Sequence, residues 1–410
     1  MLNANIKPEI LAPAGNLSKF KVALEYGADA VYVGAPKYGL RQGADNLSCE
    51  ELQHAVSYAH DMGKRVYVAM NAMPHEREMP DLSNLLKKLE AISPDALIIS
   101  DAGLFSMAKK ETSIPIHVST QASVSNAFHA KMWALNGAKR VVLAREVSLQ
   151  EARDMREYAN IELESFVHGS MCVSYSGKCT ISSYTAGRDS NRGGCVHSCR
   201  YSYRVEDSRT GEFYGEGHIM NARDLMGVRL MPDILKSGLS CLKIEGRMKS
   251  PLYVAQVTRI YRQALDACWK MYKEGTLDAW NPESYEKKLS LISNRTFSLG
   301  NLQKRAFRSS VRYDEGGYQR GLQYVGIVRS FNPKKGLLLE VRYPFSSKDD
   351  LTFLLPDGNN ENVSETFLSD INDEEILMAK PNSLIYLKYT KPLPENTVFF
   401  IDSHSQKKAG

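Results

Sequence analysis

The sequence predicts an α/β protein: a TIM-like (βα)8 barrel carrying a Cys-rich insertion, followed by a small C-terminal all-β domain. Three observations predict it. Short apolar runs alternate with amphipathic stretches from residue 9 to residue 275, the rhythm of repeated βα units. Four of the seven cysteines, Cys172, Cys179, Cys195 and Cys199, fall within 28 residues, where even scattering places about half of one. From about Leu322 the texture changes to short β-like runs broken by Pro, Gly and Asn, as in small barrels and sandwiches.

Length and charge bound the reading. The chain has 410 residues, 43% of them hydrophobic, and a formal charge of +5 from 52 basic and 47 acidic side chains. That composition excludes a disordered tail or a disulfide-stapled miniprotein, and at roughly 150 residues per domain it leaves room for two or three domains. No run of about 18 uninterrupted apolar residues occurs, and the opening MLNANIKPEI lacks the basic head and apolar middle of a signal peptide. A cytoplasmic protein with no membrane partner is expected. In that reducing compartment, grouped thiols are a metal site or redox centre more often than disulfides.

Eight candidate strands follow in order, at residues 9–15, 30–34, 65–71, 96–100, 116–119, 140–144, 161–169 and 241–246. Between them, Ser48 and Glu51 have capping-box spacing before a periodic run that ends at Gly63, and Ser250 with Pro251 starts a helix running towards Gly275. Eight such strands can open into a doubly wound sheet, but regular succession over about 250 residues fits a closed barrel better. The stretch TGEFYGEGHIMNARDL, between Cys199 and Cys241, exceeds one βα unit. Its glycines punctuate a hairpin before a helix expected near 225–236. The division is therefore a barrel over 1–275 with a cysteine segment at 168–204, a polar connector over 276–321 and an all-β domain over 322–404.

The four clustered thiols are separated by six, fifteen and three residues, too irregular for a zinc ribbon of paired two-residue knuckles. Irregular spacing suits an iron–sulfur cluster, with Gly177, Gly193 and Gly194 letting the backbone bend round a bulky ligand. Zinc and non-ligand thiols remain the alternatives on spacing alone. Cys49, Cys241 and Cys268 lie in helix or strand contexts and read as core.

The same segment is basic. Residues 170–204 hold Lys178, Arg188, Arg192, Arg200 and Arg204 against the single acid Asp189, a surplus of +4, interleaved with Tyr175, Tyr184, Tyr201 and Tyr203. Charge for phosphates and aromatic faces for unstacked bases suit a single-stranded RNA loop. The alternative is a solvated basic loop with its tyrosines packed beside the thiols. Residues 322–402 hold eight basic and twelve acidic side chains, so the tail is expected to position the barrel or contact a partner.

The run ESFVHGSMCVSYSGKCTIS at 164–182 resembles the signature of the collagenase-like (U-type) peptidase family, whose better-understood branches are RNA and ubiquinone hydroxylation proteins. The resemblance extends through NRGGCVHSCRYSY, LKIEGRMKSPLYV, LAPAGNLSKFKVALEYGADAVYVG and VSTQASVSN. It covers essentially the whole barrel, and the tail resembles the family's C-terminal domain. It implies that Cys172, Cys179, Cys195 and Cys199 ligate a 4Fe-4S cluster. The arrangement is most similar to the tRNA-hydroxylating branch, which makes 5-hydroxyuridine at the wobble position without molecular oxygen, with prephenate as implied hydroxyl source and co-substrate. Sibling branches act on ribosomal RNA cytidine or on ubiquinone precursors. A different class stays open: a noncatalytic RNA-binding or scaffold subunit paired with a homologous barrel. Proteolysis has no visible machinery, because HExxH and GxSxG are missing and His54 and His60 are six residues apart on different helix faces.

Barrel chemistry belongs at the carboxyl ends of the strands. His168 is the candidate general acid or base, four residues before Cys172, with Glu164 and Gln121 as further catalytic candidates. Prephenate carries two carboxylates and Arg binds carboxylate as a fork, so Arg145 and Arg247 are candidate clamps, assisted by Lys243, Glu245 and Asn71. RNA contacts are expected from Lys178, Arg188, Arg192, Arg200, Tyr201 and Arg204. The bland alternatives are a hydrogen-bonded structural His168, a satisfied Gln121 amide and a Lys243–Glu245 ion pair that closes the barrel.

Overall fold

The computed structural model describes residues 6–40, 45–364 and 366–403; the expected domain limit at 404 lies outside them. Eight strands run in parallel: β1 (Glu9–Pro13), β2 (Ala30–Gly34), β3 (Arg65–Met70), β4 (Ala96–Ile99), β5 (Ile116–Val118), β6 (Arg140–Val142), β7 (Glu162–Gly169) and β8 (Cys241–Ile244). Each pairs with the next along the chain, and β8 pairs with both β7, through Cys241 opposite Glu164, and β1, through Cys241 opposite Glu9. The ring is closed.

Six strands stop one or two residues short of their expected carboxyl ends, and after β1, β4 and β5 a polar side chain close behind the strand caps the helical turn that follows. Asn16 accepts from Lys19 N, Asp101 from Leu104 N and Ser119 from Gln121 N. The expected capping box of Ser48 and Glu51 opens helix Cys49–Asp61, and Ser250 caps helix Pro251–Glu274, which ends at Gly275 in the left-handed region (φ 72°). Strands and helices share one core that includes Phe20, Leu52, Leu86, Leu104, Ile234 and Ile260. Inside the ring, Leu11, Tyr32, Tyr67, Ala69 and Ile98 pack together.

The hairpin expected after Cys199 forms from Tyr203–Glu206 and Phe213–Gly217. The helix expected near 225–236 is shorter, at Met231–Ser237, because Asp224–Met226 pairs antiparallel with the end of β7, Leu225 opposite Gly169. β7 runs past its neighbours there, and an unpaired edge recruits whatever apolar segment passes it.

From Leu322 the chain forms an eight-stranded antiparallel sheet. One face encloses its own core around Val325, Leu339, Phe353 and Phe399, while Ile327, Leu354, Val398 and Phe400 join the barrel's core. Tyr26 Oη donates to the Leu354 carbonyl and accepts from Val398 N at 3.2 Å, and Asn396 Nδ2 donates to Glu25 at 2.9 Å. Among the described residues no helix is long and apolar enough to cross a membrane.

Candidate active site

A cavity of about 480 Å³ opens at the carboxyl ends of the barrel strands, where this architecture gathers its loops. Tyr32, Ala69, Ile98, Phe166 and Lys243 line it from the strands, and the connector contributes Arg295, Tyr318 and Arg320. All four clustered thiols line the same cavity.

Hydrogen bonds hold the cysteine segment to the barrel mouth. Ser176 Oγ accepts from Arg145 N at 2.9 Å and Ser176 N donates to Glu146 at 3.1 Å. Asn191 Nδ2 donates to the Cys179 carbonyl at 3.1 Å, while its own carbonyl accepts from Met73 N at 3.1 Å. Gly177 lies in the left-handed region (φ 73°), and a Cβ there would collide with the backbone carbonyl of Gln121. The close approach of these two loops therefore requires glycine.

Burial pushes the Cys199 thiol above its ordinary pKa; Arg200 opposes the rise, and the neighbouring Cys172, Cys195 and Cys179 thiols add to it. Among the described residues, no group of three or more His, Cys, Asp or Glu is gathered tightly enough for a single metal ion. The four thiols lie on one pinned segment and line one space, and thiolates of this kind are the soft donors that zinc and iron–sulfur centres share.

Of the residues expected at the strand ends, Asn71, Gln121, Arg145, Lys243, Glu245 and Arg247 line the cavity together. The Arg145 guanidinium lies 4.2 Å from the centre of the Phe166 ring and makes no ion pair among the described residues. Lys243 is buried and donates to Glu164 at 2.8 Å, with its ammonium 4.4 Å from the centre of the Tyr32 ring. The carboxylate that pairs with Lys243 is therefore Glu164, while Glu245 accepts from Tyr32 Oη at 3.1 Å. Asn71 accepts from Leu40 N at 3.2 Å, and Arg247 donates to Asn46.

Glu164 and His168 are not on the cavity surface. Glu164, 0% exposed, lies within the ring between Lys243 and Arg140, and Arg140 also pairs with Glu9 at 2.7 Å. His168, 1% exposed, packs among the rings of Tyr253, Tyr261 and Phe297. Alternation along β7 would turn His168 inward with Glu164 and Phe166, but the register against β8 slips between Phe166 and His168. That bulge sends the imidazole out to helix Pro251–Glu274. That placement favours the structural reading of His168 over the general acid or base.

Its signature is thermodynamic. Burial, aided by Lys249, pulls the His168 imidazole down to about 3. Between about pH 3 and pH 6.5 the unfolded chain binds a proton there that the folded chain refuses, so stability falls as pH drops through that window, by up to about 1.4 kcal/mol per pH unit. Urea unfolding across this range should show the slope in the wild-type protein and lose that component in His168→Phe. Equal slopes would mean that the ring is solvated.

The basic residues of the cysteine segment divide. Lys178 and Arg188 are exposed. Arg192 forms a bidentate pair with Glu78 at 2.9 and 2.8 Å and pulls that carboxyl down to about 2. Arg200 donates to Asn221 at 2.9 Å and to the carbonyls of Ala222 and Met171. Arg204 pairs with Glu206 and stacks on Phe213, and Tyr201 is exposed. Arg192 and Arg200 thus brace the loop, and Arg200 also lines the cavity.

Sequence reading missed the connector's share of the cavity. The signal was available: residues 293–321 hold six basic side chains and two acidic ones, a surplus of +4 equal to that of the cysteine segment.

The model of Peptidase family U32 matches residues 15–312, and that of the Peptidase family U32 C-terminal domain matches residues 320–399. The chain belongs to the U32 family. The resemblance read from the cysteine motifs is thereby borne out. A relative in Bacillus subtilis (strain 168), tRNA hydroxylation protein P1, is 34% identical over 400 residues, covering 95% of this chain and 94% of that protein. The tRNA hydroxylation protein P of Helicobacter pylori is 42% identical over 327 residues, covering 77% of this chain and 75% of its own. The 23S rRNA 5-hydroxycytidine C2501 synthase of Escherichia coli (strain K12) is 35% identical over 262 residues, covering 63% of this chain and 39% of that protein.

Proposed function

We propose that this chain is an RNA hydroxylase that converts the wobble uridine of tRNA to 5-hydroxyuridine without molecular oxygen, taking the hydroxyl from prephenate. The observation that carries the reading is a single cavity at a barrel mouth lined by four thiols, a ring-stacked arginine and a buried lysine. The names of relatives that cover most of the chain support it.

Cys172, Cys179, Cys195 and Cys199 would hold the 4Fe-4S cluster. When bound, it supplies one-electron chemistry that the cavity's side chains do not offer. The rest falls to those side chains. Arg145, braced on Phe166 and fixed through its backbone by Ser176, presents a fork to a carboxylate. Lys243, held by Glu164, offers a second cationic contact with little orientational freedom, so a small dicarboxylate can be bound at both ends. Burial of these groups away from bulk water strengthens both contacts.

The deciding measurement is nucleoside analysis of tRNA from a strain lacking the gene. Loss of 5-hydroxyuridine and its derivatives is expected; unchanged levels without a compensating paralogue would rule the assignment out. The second reading, hydroxylation of ribosomal RNA, draws on the 23S rRNA synthase among the relatives and predicts a change in rRNA hydroxycytidine instead. Activity reconstituted from this chain alone excludes a purely accessory role.

A further inference from the structure

The connector departs from the behaviour of a spacer. Asn301 Nδ2 donates to the Arg145 carbonyl at 2.9 Å, so the connector passes the cavity edge there, and it returns to line the cavity at Tyr318 and Arg320. Between these points Lys304, Arg305 and Arg308 are exposed, with Phe307 exposed among them. At the cavity wall, the Tyr318 ring lies 3.9 Å from the Lys249 ammonium and 4.0 Å from the Arg295 guanidinium, yet Tyr318 is still 39% exposed. Arg320 is exposed and makes no ion pair or side-chain hydrogen bond among the described residues.

These cations are in excess. Two carboxylates face this group: Asp224, 3.7 Å from Arg295 on the strand beside β7, and Glu245 at the cavity wall. Burial pulls the Lys249 ammonium down to about 8; Asp224 and Glu245 oppose the shift, and Arg295 and Arg320 reinforce it. A group of like charges at a cavity rim is an anion site. A small carboxylate needs no aromatic face and already has Arg145 and Lys243 deeper in. Repeated exposed cations with rings between them suit a strand whose phosphates recur and whose bases can unstack.

Resting on the RNA reading above, we propose that the connector is the RNA-gripping element: Lys249 and Arg320 take phosphates beside the target nucleotide, Tyr318 offers its ring to an unstacked base, and Lys304, Arg305 and Arg308 carry the strand away from the cavity. The cysteine segment, whose Arg192 and Arg200 are consumed internally, is the wall of the site.

The test is binding of a fluorescent tRNA anticodon stem-loop to the full chain, purified without air, over a range of salt. Arg320→Ala should reduce the slope of log affinity against log salt by about one, and the triple variant Lys304→Ala/Arg305→Ala/Arg308→Ala by about two to three. Tyr318→Ala should weaken binding about tenfold, with Tyr318→Phe restoring it; Lys270→Ala on the outer helix should change nothing. Arg320, Lys304, Arg305, Arg308 and Lys270 are exposed side chains, so folding does not confound the slopes. Wild-type slope and affinity in both the Arg320 variant and the triple variant, or no RNA binding by the wild-type chain, overturns the proposal. If slopes fall while nucleosides in the deletion strain are unchanged, the hydroxylase reading fails and the grip stands; if hydroxylation holds while slopes stay fixed, the grip alone fails.

Discussion

With the proposed cluster on its four thiols, protein carrying Cys195→Ala, purified without air, is expected to lack the broad visible absorbance and most of the iron expected of the wild-type chain. Hydroxylation activity should fall by more than about a hundredfold, since even groups that only hydrogen-bond to a metal's ligands are worth about 10- to 100-fold. The reason is geometric. The segment that carries the four thiols is tied down at Ser176, Asn191, Arg192 and Arg200, so its backbone cannot slide to replace a missing ligand. No spare thiol is close to hand either: Cys241 is buried inside the ring and Cys268 in the outer core, and neither Cys49 nor those two line the cavity. Cys49→Ala and Cys268→Ala should therefore keep both colour and iron. Full iron content in Cys195→Ala would remove that thiol from the ligand set. A colourless wild-type chain holding one zinc would replace the cluster altogether.

The closed ring was readable because its signal is local and repeated. Each strand from β1 to β8 is a short apolar run whose carboxyl end is marked by a capping or turn residue, and eight such runs leave few ways to pair. The thiols were readable from clustering alone. Side-chain direction was less so. On β7 every residue from Leu163 to Gly169 is buried, so nothing in the pattern distinguishes the inner from the outer face, and the bulge that turns His168 outward has no signature in composition. The fates of Arg192 and Arg200 were hidden for another reason: their partners Glu78 and Asn221 lie 114 and 21 residues away in sequence. The connector's role depends on the path of the chain between two domains, which no local periodicity encodes.

Glu164→Gln should destabilise the protein by about 3–5 kcal/mol, the cost of leaving a buried cation without its counter-ion. Inside the ring, buried Glu9 and Glu164 balance buried Arg140 and Lys243. Removing one carboxylate leaves a net positive charge within a packed interior. Burial pushes the Glu164 carboxyl up, but Lys243 and Arg140 outweigh it and hold the group below its ordinary value. Its contribution is therefore present above about pH 4.3 and lost as pH falls through the lower folded value, so the acid limb of the stability curve should be shallower in Glu164→Gln. The compensated variant Glu164→Leu/Lys243→Met separates stability from function. Replacing the whole pair with apolar groups of similar volume should recover most of the unfolding free energy, while the cavity loses its lysine and the KM for the anionic co-substrate rises at least about tenfold, the worth of one charge-assisted contact. A double variant that is both stable and fully active would show that the pair serves only the barrel. A stable variant with impaired substrate binding would show that a costly buried charge is retained because it aims Lys243 at the cavity.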